Sequence, residues 1–292
     1  MFKLSLFTDE VSQDFERAVM LAREYELDGI EIRSTWDKPP QALNTDDIRQ
    51  MRDILRGTGL IVCSIASPFY KCAVDNPRER MEHLEILRRC CMLADAFDCR
   101  IIRGFTFWRK LPIEAYWTDI LKGFDEPAKI LEERDKVLAI ENEASTMVGT
   151  GRRLARLLDR LDSGRVAAMW DPANSLFDEQ EPEVPFPDGY DAICGRMPHM
   201  HLKDAAKDPK TGKAATVPIG EGDIDFRGQF DALVADGYDG FVSLETHWRP
   251  TALSEDQLNR PGGAAFSKEG EYATRLCLDN WFSILKELGL RK

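Results

Sequence analysis

Short apolar runs alternate with longer amphipathic segments along the whole chain. The short runs have the length and β-branched content of buried strands, whereas the longer segments repeat their apolar positions with the period of a helix. We predict eight strands, at residues 3–7, 29–33, 60–65, 100–104, 136–141, 166–170, 199–203 and 240–245. Helices are predicted at residues 14–25, 45–56, 77–97, 113–133, 151–161, 226–235 and 269–288, with a weaker one within 190–195.

The regular order of strand and helix predicts a parallel sheet, because two parallel neighbours must be joined by a crossover connection. Eight such units in 292 residues fit an α/β fold, a single-domain (β/α)8 TIM barrel that spans residues 1–292. The alternative is an open, doubly wound sheet. No GxGxxG sequence follows the first predicted strand, which argues against that alternative.

Three long connections follow predicted strands in the second half of the chain, at residues 177–189, 205–222 and 249–268. In a barrel, connections of this kind lie at the carboxyl ends of the strands, where ligands bind. Their length indicates either a cover over a pocket or a contact with a second copy of the chain. A homo-oligomer is therefore left open.

The net charge of the chain argues against certain kinds of binding partner. Lysine and arginine number 39 against 51 aspartates and glutamates, which gives a formal charge of −12. This disfavours a nucleic acid or an anionic membrane surface as partner. No stretch approaches the roughly 20 apolar residues that a membrane-spanning helix needs. We therefore expect a soluble, cytoplasmic protein.

The seven cysteines form an odd number and contain no CxxC pair, and several lie within apolar runs. These features are typical of reduced residues that pack in a core, and they argue against disulfides or a thiolate zinc site.

Charged or imidazole side chains end four consecutive predicted strands. These residues are Glu141, Asp171, His201 and Glu245. A carboxylate at the end of an apolar strand loses hydration in a barrel mouth and needs a partner, and one divalent cation can serve several such groups. Three carboxylates and one imidazole suit Mn²⁺, Mg²⁺ or Co²⁺ better than a thiolate-rich site does, and Zn²⁺ remains an option. Taken one at a time, however, such a carboxylate is more often a solvated group or a helix cap, and such a histidine a core residue.

Further polar and aromatic residues are candidates for contact with a ligand. Lys203 and His247 lie two residues beyond proposed ligands, and a separation of two along a strand returns to the same side. For Lys203 the alternative is a surface ion pair with Asp204. The remaining candidates follow the second, third and fourth strands and are Trp36, Ser67, Arg103 and Trp108. Aromatic rings stack on sugars and arginine binds anions, but aromatic residues at a barrel mouth are also ordinary packing.

Six segments in this order resemble the xylose-isomerase-like superfamily of TIM barrels, which contains the sugar phosphate isomerases and epimerases. They are LDGIEIR, IENEA, WDPANS, HMHLKD, PIGEGDIDF and GYDGFVSLETHW, and together they extend over almost the whole chain. The combination of HLKD, GEGDIDF and YDGFVSLE is specific for the superfamily but does not identify a substrate.

The resemblance implies one divalent metal ion, commonly manganese, held by the four strand-end residues. It also implies that Glu141 and Glu245 transfer protons, so that a monosaccharide or keto-polyol is isomerised or epimerised through an enediolate. Glu221, in the GEGDIDF segment, becomes a candidate pocket residue. One departure is Asn174, where many relatives carry a second histidine. Asparagine can bind a substrate hydroxyl but cannot transfer protons.

The same resemblance leaves other functions open. The enediolate can expel a β-substituent, which would make the protein a metal-dependent lyase or dehydratase similar to inosose dehydratase. A non-catalytic sugar-binding barrel is a third hypothesis. The endonuclease branch of the superfamily uses extra histidines, and the four histidines and acidic charge of this chain argue against it.

Overall fold

The computed structural model describes residues 1–161 and 163–291, and eight parallel strands form a closed barrel at its centre. The strands of the molecule are β1 (Lys3–Phe7), β2 (Gly29–Ile32), β3 (Ile61–Ile65), β4 (Ile101–Gly104), β5 (Val137–Glu141), β6 (Val166–Trp170), β7 (His199–Leu202), β8 (Asp204–Lys207), β9 (Ala214–Val217) and β10 (Phe241–Leu244). β1 to β7 follow one another around the barrel, and β10 closes it by pairing with both β7 and β1. The predicted (β/α)8 TIM-barrel class is therefore confirmed, and the open sheet is excluded.

The α-helices lie in the connections between these strands. They are α1 (Thr8–Val11), α2 (Phe15–Glu24), α3 (Thr45–Leu55), α4 (Pro77–Ala96), α5 (Trp117–Gly123), α6 (Asp125–Arg134), α7 (Gly151–Arg160), α8 (Pro172–Phe177), α9 (Tyr190–Ile193), α10 (Phe226–Ala235), α11 (Glu255–Asn259), α12 (Gly263–Ser267) and α13 (Gly270–Glu287). Single 3₁₀ turns cover Pro40–Ala42 and Ile113–Tyr116, and an irregular turn covers Pro185–Gly189. Side-chain caps explain several starts, since Asp14, Asn44, Asn76 and Thr150 each accept backbone N–H bonds at the first turn of α2, α3, α4 and α7.

The helix predicted at residues 113–133 is broken into a 3₁₀ turn, α5 and α6. Pro127 has no N–H to donate to the carbonyl of Gly123 four residues earlier, so the helical hydrogen bond is lost at that position. The Tyr70 hydroxyl donates to this carbonyl instead, at 2.5 Å. A contact from a distant turn thus compensates for the break.

The long connections contain structure that the sequence pattern did not indicate. The connection after β7 folds as the antiparallel pair β8–β9, and the one after β10 contains α11 and α12. Both lie at the carboxyl ends of barrel strands. β8 and β9 are four residues each and carry little apolar alternation, which is why the pattern missed them.

The core fills the barrel and the space between the barrel and its helices, and most strand residues are buried. Both faces of a parallel sheet are covered in this architecture, as continuous apolar strands require. All seven cysteines are free, and six of them are buried, as predicted. Among the residues that the structure describes, no helix combines the length and the apolar character needed to cross a membrane.

Candidate active site

The four strand-end residues come together at the carboxyl end of the barrel. Glu141 is the last residue of β5, Asp171 directly follows β6, His201 lies in β7 and Glu245 directly follows β10. One nitrogen or oxygen atom from each lies within 4.8 Å of those of the other three, and all four side chains are buried. The predicted convergence is therefore present, although the residues come from segments up to 104 positions apart.

Three atoms of this group are buried and make no hydrogen bond, although each lies 2.9–3.3 Å from a charged neighbour. They are Glu141 Oε2, Asp171 Oδ2 and His201 Nδ1. Buried polar atoms nearly always make hydrogen bonds, so a cluster of such atoms held by ionic contacts alone indicates a site suited to an additional positive group. Carboxylate oxygens and one imidazole nitrogen form a donor set that fits a divalent cation. The residues present therefore fit the implied metal ion.

Asp171 serves two purposes at once. Its Oδ1 accepts the backbone N–H of Asn174 at 3.1 Å and caps the short helix α8, while Oδ2 contacts Lys203 Nζ at 2.9 Å within the site. Asn142 fixes its backbone from β5, because the Asn142 amide donates to the Asp171 carbonyl at 2.8 Å and accepts from the Asp171 N–H at 2.9 Å. One carboxylate oxygen of Asp171 therefore acts as the helix cap, and the other belongs to the four-residue site.

Glu31 sets the orientation of the His201 ring. His201 Nε2 lies 3.3 Å from Glu31 Oε2, so Nδ1 is turned toward Glu141 Oε1, also at 3.3 Å. Glu31 also contacts His199 Nε2 at 2.9 Å. Burial lowers the pKa of His201, but Glu31 and Glu141 outweigh that effect and raise it to about 10. A carboxylate behind the ring is the usual support for a metal-binding histidine.

Two buried cations lie against the carboxylates of Asp171 and Glu245. Lys203 Nζ lies 2.9 Å from Asp171 Oδ2 and 3.1 Å from Glu245 Oε2. Arg33 Nη1 lies 2.7 Å from Glu245 Oε1. Burial raises the pKa of Glu245, but Lys203, His247, His201 and Arg33 together hold it well below its usual range. For Asp171 burial prevails over Lys203, and the pKa rises to about 7.

The complete buried network carries an excess of negative charge. It links the carboxylates of Asp9, Glu10, Glu31, Glu141, Asp171 and Glu245 with the cations of Arg33, Arg103, Lys203 and Arg249 through contacts of 3.6 Å or less. In the ion-binding state, with all six carboxylates ionised and the histidines neutral, two unit negative charges remain, whereas the ion-free network keeps the proton of His201. A dication at the four-residue site would balance them, as buried charges require.

Two cavities open beside the four-residue site. One, of about 580 Å³, is bordered by Asn174, Lys203 and His247. The other, of about 430 Å³, is bordered by Arg103 and Trp108. The structure therefore places five of the predicted ligand-contact residues in cavity walls. Asn174 also donates its amide to Glu141 Oε1 at 3.0 Å.

Three predicted contact residues lie outside the walls of these cavities. Trp36 packs on Phe15 with ring centroids 6.1 Å apart, and Ser67 donates its hydroxyl to the Arg103 carbonyl of β4 at 2.6 Å. Glu221 has an exposed side chain. Nearness to a strand end was not sufficient for Trp36 and Ser67, because each side chain is engaged elsewhere in the protein.

The HLKD and GEGDIDF segments are joined by Asp204. Its carboxylate accepts the N–H groups of Gly220 and Gly222 at 2.8 and 3.0 Å, which ties β8 to the turn before α10. A Cβ at Gly222 would collide with this carboxylate, and Gly220 has a φ of +85°, so both glycines are required. The alternative of a surface ion pair between Lys203 and Asp204 is wrong, because Lys203 is buried against Asp171 and Glu245.

We expect Gly222→Ala to lower the free energy of unfolding by about 2 kcal/mol, within the range of overpacked sites. The matched control is Gly164→Ala, where a Cβ meets nothing within 4 Å, and this change should leave stability equal or raise it by up to about 1 kcal/mol. Urea denaturation measures both. Equal stability of the two variants would contradict the close approach of Asp204.

Sequence reasoning missed four buried charged residues of this region, namely Asp9, Glu10, Lys71 and Arg249. Asp9 and Glu10 follow β1 after Thr8, so a search of the first few residues beyond each strand would have found them. Lys71 and Arg249 lie in connections, and the pattern along the chain contains no sign of their burial.

The sequence comparisons agree with this architecture. Residues 19–269 match the model of a family described as the xylose isomerase-like TIM barrel. The chain belongs to this family. The resemblance that the six segments indicated is thereby confirmed, and the family match extends over most of the barrel.

Individual relatives of this xylose isomerase-like barrel are distant. An inosose dehydratase from Clostridium tetani is 28% identical over 152 residues, 47% of this chain and 49% of that protein. One from Bacillus thuringiensis is 23% identical over 262 residues, 82% of this chain and 78% of that protein. The chain thus spans about half the length of the first curated relatives it matches. Among solved structures, D-psicose 3-epimerase with D-tagatose from Clostridium cellulolyticum H10 superposes with a TM-score of 0.74 over 100% of both chains at 14% identity. That likeness shows the fold.

Proposed function

We propose that the protein is a divalent-metal-dependent isomerase or epimerase that acts on a monosaccharide or a related keto-polyol through an enediolate. The observation that carries this proposal is the convergence of the buried side chains of Glu141, Asp171, His201 and Glu245, three of which present an atom that makes no hydrogen bond. A bound divalent ion supplies Lewis acidity, which stabilises negative charge on substrate oxygens. We propose Mn²⁺ first, with Mg²⁺, Co²⁺ and Zn²⁺ as alternatives.

Side chains of the protein carry out the proton transfers of the proposed reaction and orient the substrate. Glu141 and Glu245 stand at the two ends of the arc formed by β5, β6, β7 and β10. One of them removes a proton from the carbon next to the carbonyl, and for epimerisation the other returns a proton to the opposite face. Asn174, hydrogen-bonded to Glu141, orients a substrate hydroxyl but exchanges no proton.

A dehydratase is the second candidate, favoured by the similarity to inosose dehydratases. It begins with the same proton removal. The carbon–oxygen bond at the β position then breaks, and the hydroxyl leaves with a proton as water. Lys203, whose ammonium lies between Asp171 and Glu245, borders the cavity where that hydroxyl would depart.

A substrate panel in D₂O separates these functions. The protein is loaded in turn with Mn²⁺, Mg²⁺, Co²⁺ or Zn²⁺ and incubated with ketoses and a keto-cyclitol, while NMR follows deuterium incorporation. Deuterium in a rearranged sugar supports the isomerase or epimerase. A new enone absorbance supports the dehydratase, and sugar binding without either product would refute both enzymes in favour of a binding protein.

Ion binding is expected to release protons. In the ion-free protein His201 holds its proton up to a pKa of about 10, and Asp171 holds one up to a pKa of about 7, but both must be deprotonated to bind a cation. The apparent affinity for Mn²⁺ should therefore rise with pH and fall steeply below pH 7. Calorimetry in two buffers of different ionisation enthalpy measures the proton release. A value of zero at pH 7.5 would exclude His201 as a ligand.

A further inference from the structure

Lys71 lies in the turn after β3 and points its ammonium group into the region of the two cavities. Its side chain is 8% exposed, and it borders the cavity of about 430 Å³. Burial lowers the pKa of this lysine. A buried lysine loses much of its hydration, so its ammonium group needs specific partners in place of water.

The contacts that Lys71 makes within the protein do not use all of its hydrogen-bond donors. Its Nζ donates to the carbonyl of Asn259 at 2.9 Å and lies 3.5 Å from Glu143 Oε2. The ring of Phe105 lies beneath it, with the centroid 4.4 Å away, and the Trp108 centroid is 5.7 Å away. An ammonium group has three N–H donors. At least one donor therefore remains for a bound molecule.

Lys71 lies close enough to the four-residue site to contact a molecule that is bound there. Arg33 and Arg103 border the same cavity as Lys71 and contact Glu245 and Glu141 at 2.7 and 3.3 Å. Glu143 borders the larger cavity, and Asn259 borders both. The contact of Lys71 with Glu143 thus lies between the two cavities, beside any ligand that extends from one into the other.

We propose that Lys71 and Glu143 together bind one hydroxyl group of the substrate at a carbon remote from the reacting centre, and so determine specificity. This inference rests on the proposed function. A hydroxyl group both donates and accepts, so it satisfies the ammonium and the carboxylate at the same time. A phosphate or carboxylate group would face the charge of Glu143, and a hydrogen in place of the hydroxyl would leave the third donor of Lys71 without a hydrogen bond. Trp108 and Phe105 offer apolar surface to the adjoining C–H groups.

The test couples a change in the protein to a change in the ligand. Lys71→Met keeps an apolar stem over Phe105 but removes the donors. The probes are D-tagatose and D-allulose with their monodeoxy analogues, titrated by calorimetry into the Mn²⁺-loaded enzyme. Wild-type protein should bind one analogue about 100-fold more weakly than its parent ketose, the order expected when a buried donor loses its hydrogen bond. Lys71→Met should bind the parent about 100-fold more weakly and no longer distinguish that analogue.

Two further variants separate specificity from structure. Lys71→Arg retains donors and should restore part of the discrimination. Lys110→Met is the matched control, because Lys110 pairs with the exposed Asp75 at 2.5 Å, and it should bind all ligands as the wild type does. Equal weakening of the parent ketose and all of its deoxy analogues by Lys71→Met, which would leave the discrimination intact, overturns the inference. No binding of either parent ketose to the wild type overturns it as well.

Deuterium exchange measured in the same samples keeps the two proposals apart. If substrate protons exchange with deuterium but Lys71→Met does not change the discrimination between parent and deoxy ketoses, only the role of Lys71 is rejected. A deoxy-specific effect on binding without any exchange supports the hydroxyl contact and rejects the proposed chemistry.

Discussion

Glu141→Gln is expected to slow substrate proton exchange by about 10³-fold, the order that a general base contributes. The amide has the size of the carboxylate but cannot accept a proton near neutral pH. Its oxygen still accepts the Asn174 amide that now lies 3.0 Å from Oε1, so the local fold should persist. NMR exchange rates at saturating Mn²⁺ measure the effect, and the ion content of each sample shows whether the site is filled.

The control for this loss is Glu221→Gln. Both glutamates come from segments that resemble the same family, but the structure exposes Glu221 and buries Glu141. The control should exchange at the wild-type rate. Near-wild-type exchange in ion-loaded Glu141→Gln would refute a role for this carboxylate in proton transfer.

Arg33→Met is expected to lower the free energy of unfolding by about 3–5 kcal/mol, because removing one partner leaves buried charges unpaired. The Arg33 guanidinium lies 3.0 Å from Asp9, and 2.7 Å from each of Glu10 and Glu245. Its side chain is 3% exposed, so water does not replace the lost partner. Urea denaturation of the ion-free protein measures the change.

The comparison variant is Arg17→Met. Arg17 pairs with Glu271 at 2.6 Å, but its side chain is 50% exposed, and exposed ion pairs contribute about 1 kcal/mol or less. The two variants should therefore differ several-fold in their effect on stability. A loss below 1 kcal/mol in Arg33→Met would show that the buried network does not depend on this residue.

Most regular elements of the fold could be predicted from the sequence. Each barrel strand lies within or close to its predicted range, because apolar runs of four to six residues between amphipathic segments specify both the strand and its burial. The interruption at Gly123 depended on Pro127 and on a tyrosine more than 50 residues earlier. Periodicity along the chain contains no information on such a contact.

The four strand-end residues were also predictable, for a geometric reason. Parallel strands of a barrel end at one edge, so residues at the carboxyl ends of β5, β6, β7 and β10 approach one another once the barrel closes. Positions after other strands also suggested Trp36 and Ser67, and the family resemblance suggested Glu221, but these three residues lie outside the walls of the two cavities. A position shortly after a strand lies in a turn, and the turn, not the strand, decides where its side chain points.

The sequence by itself determined the barrel, the identity of the strand-end carboxylates and the histidine that meets them, because these follow from the period of short segments and from chain order. Only the tertiary structure decided how the buried charges are paired and that one N–H donor of Lys71 is left for a bound molecule. Arg33 and Glu245 are 212 residues apart, and Lys71 and Asn259 are 188 apart. Contacts between such distant residues exist only after the barrel has closed, and burial and pairing are properties of the closed structure.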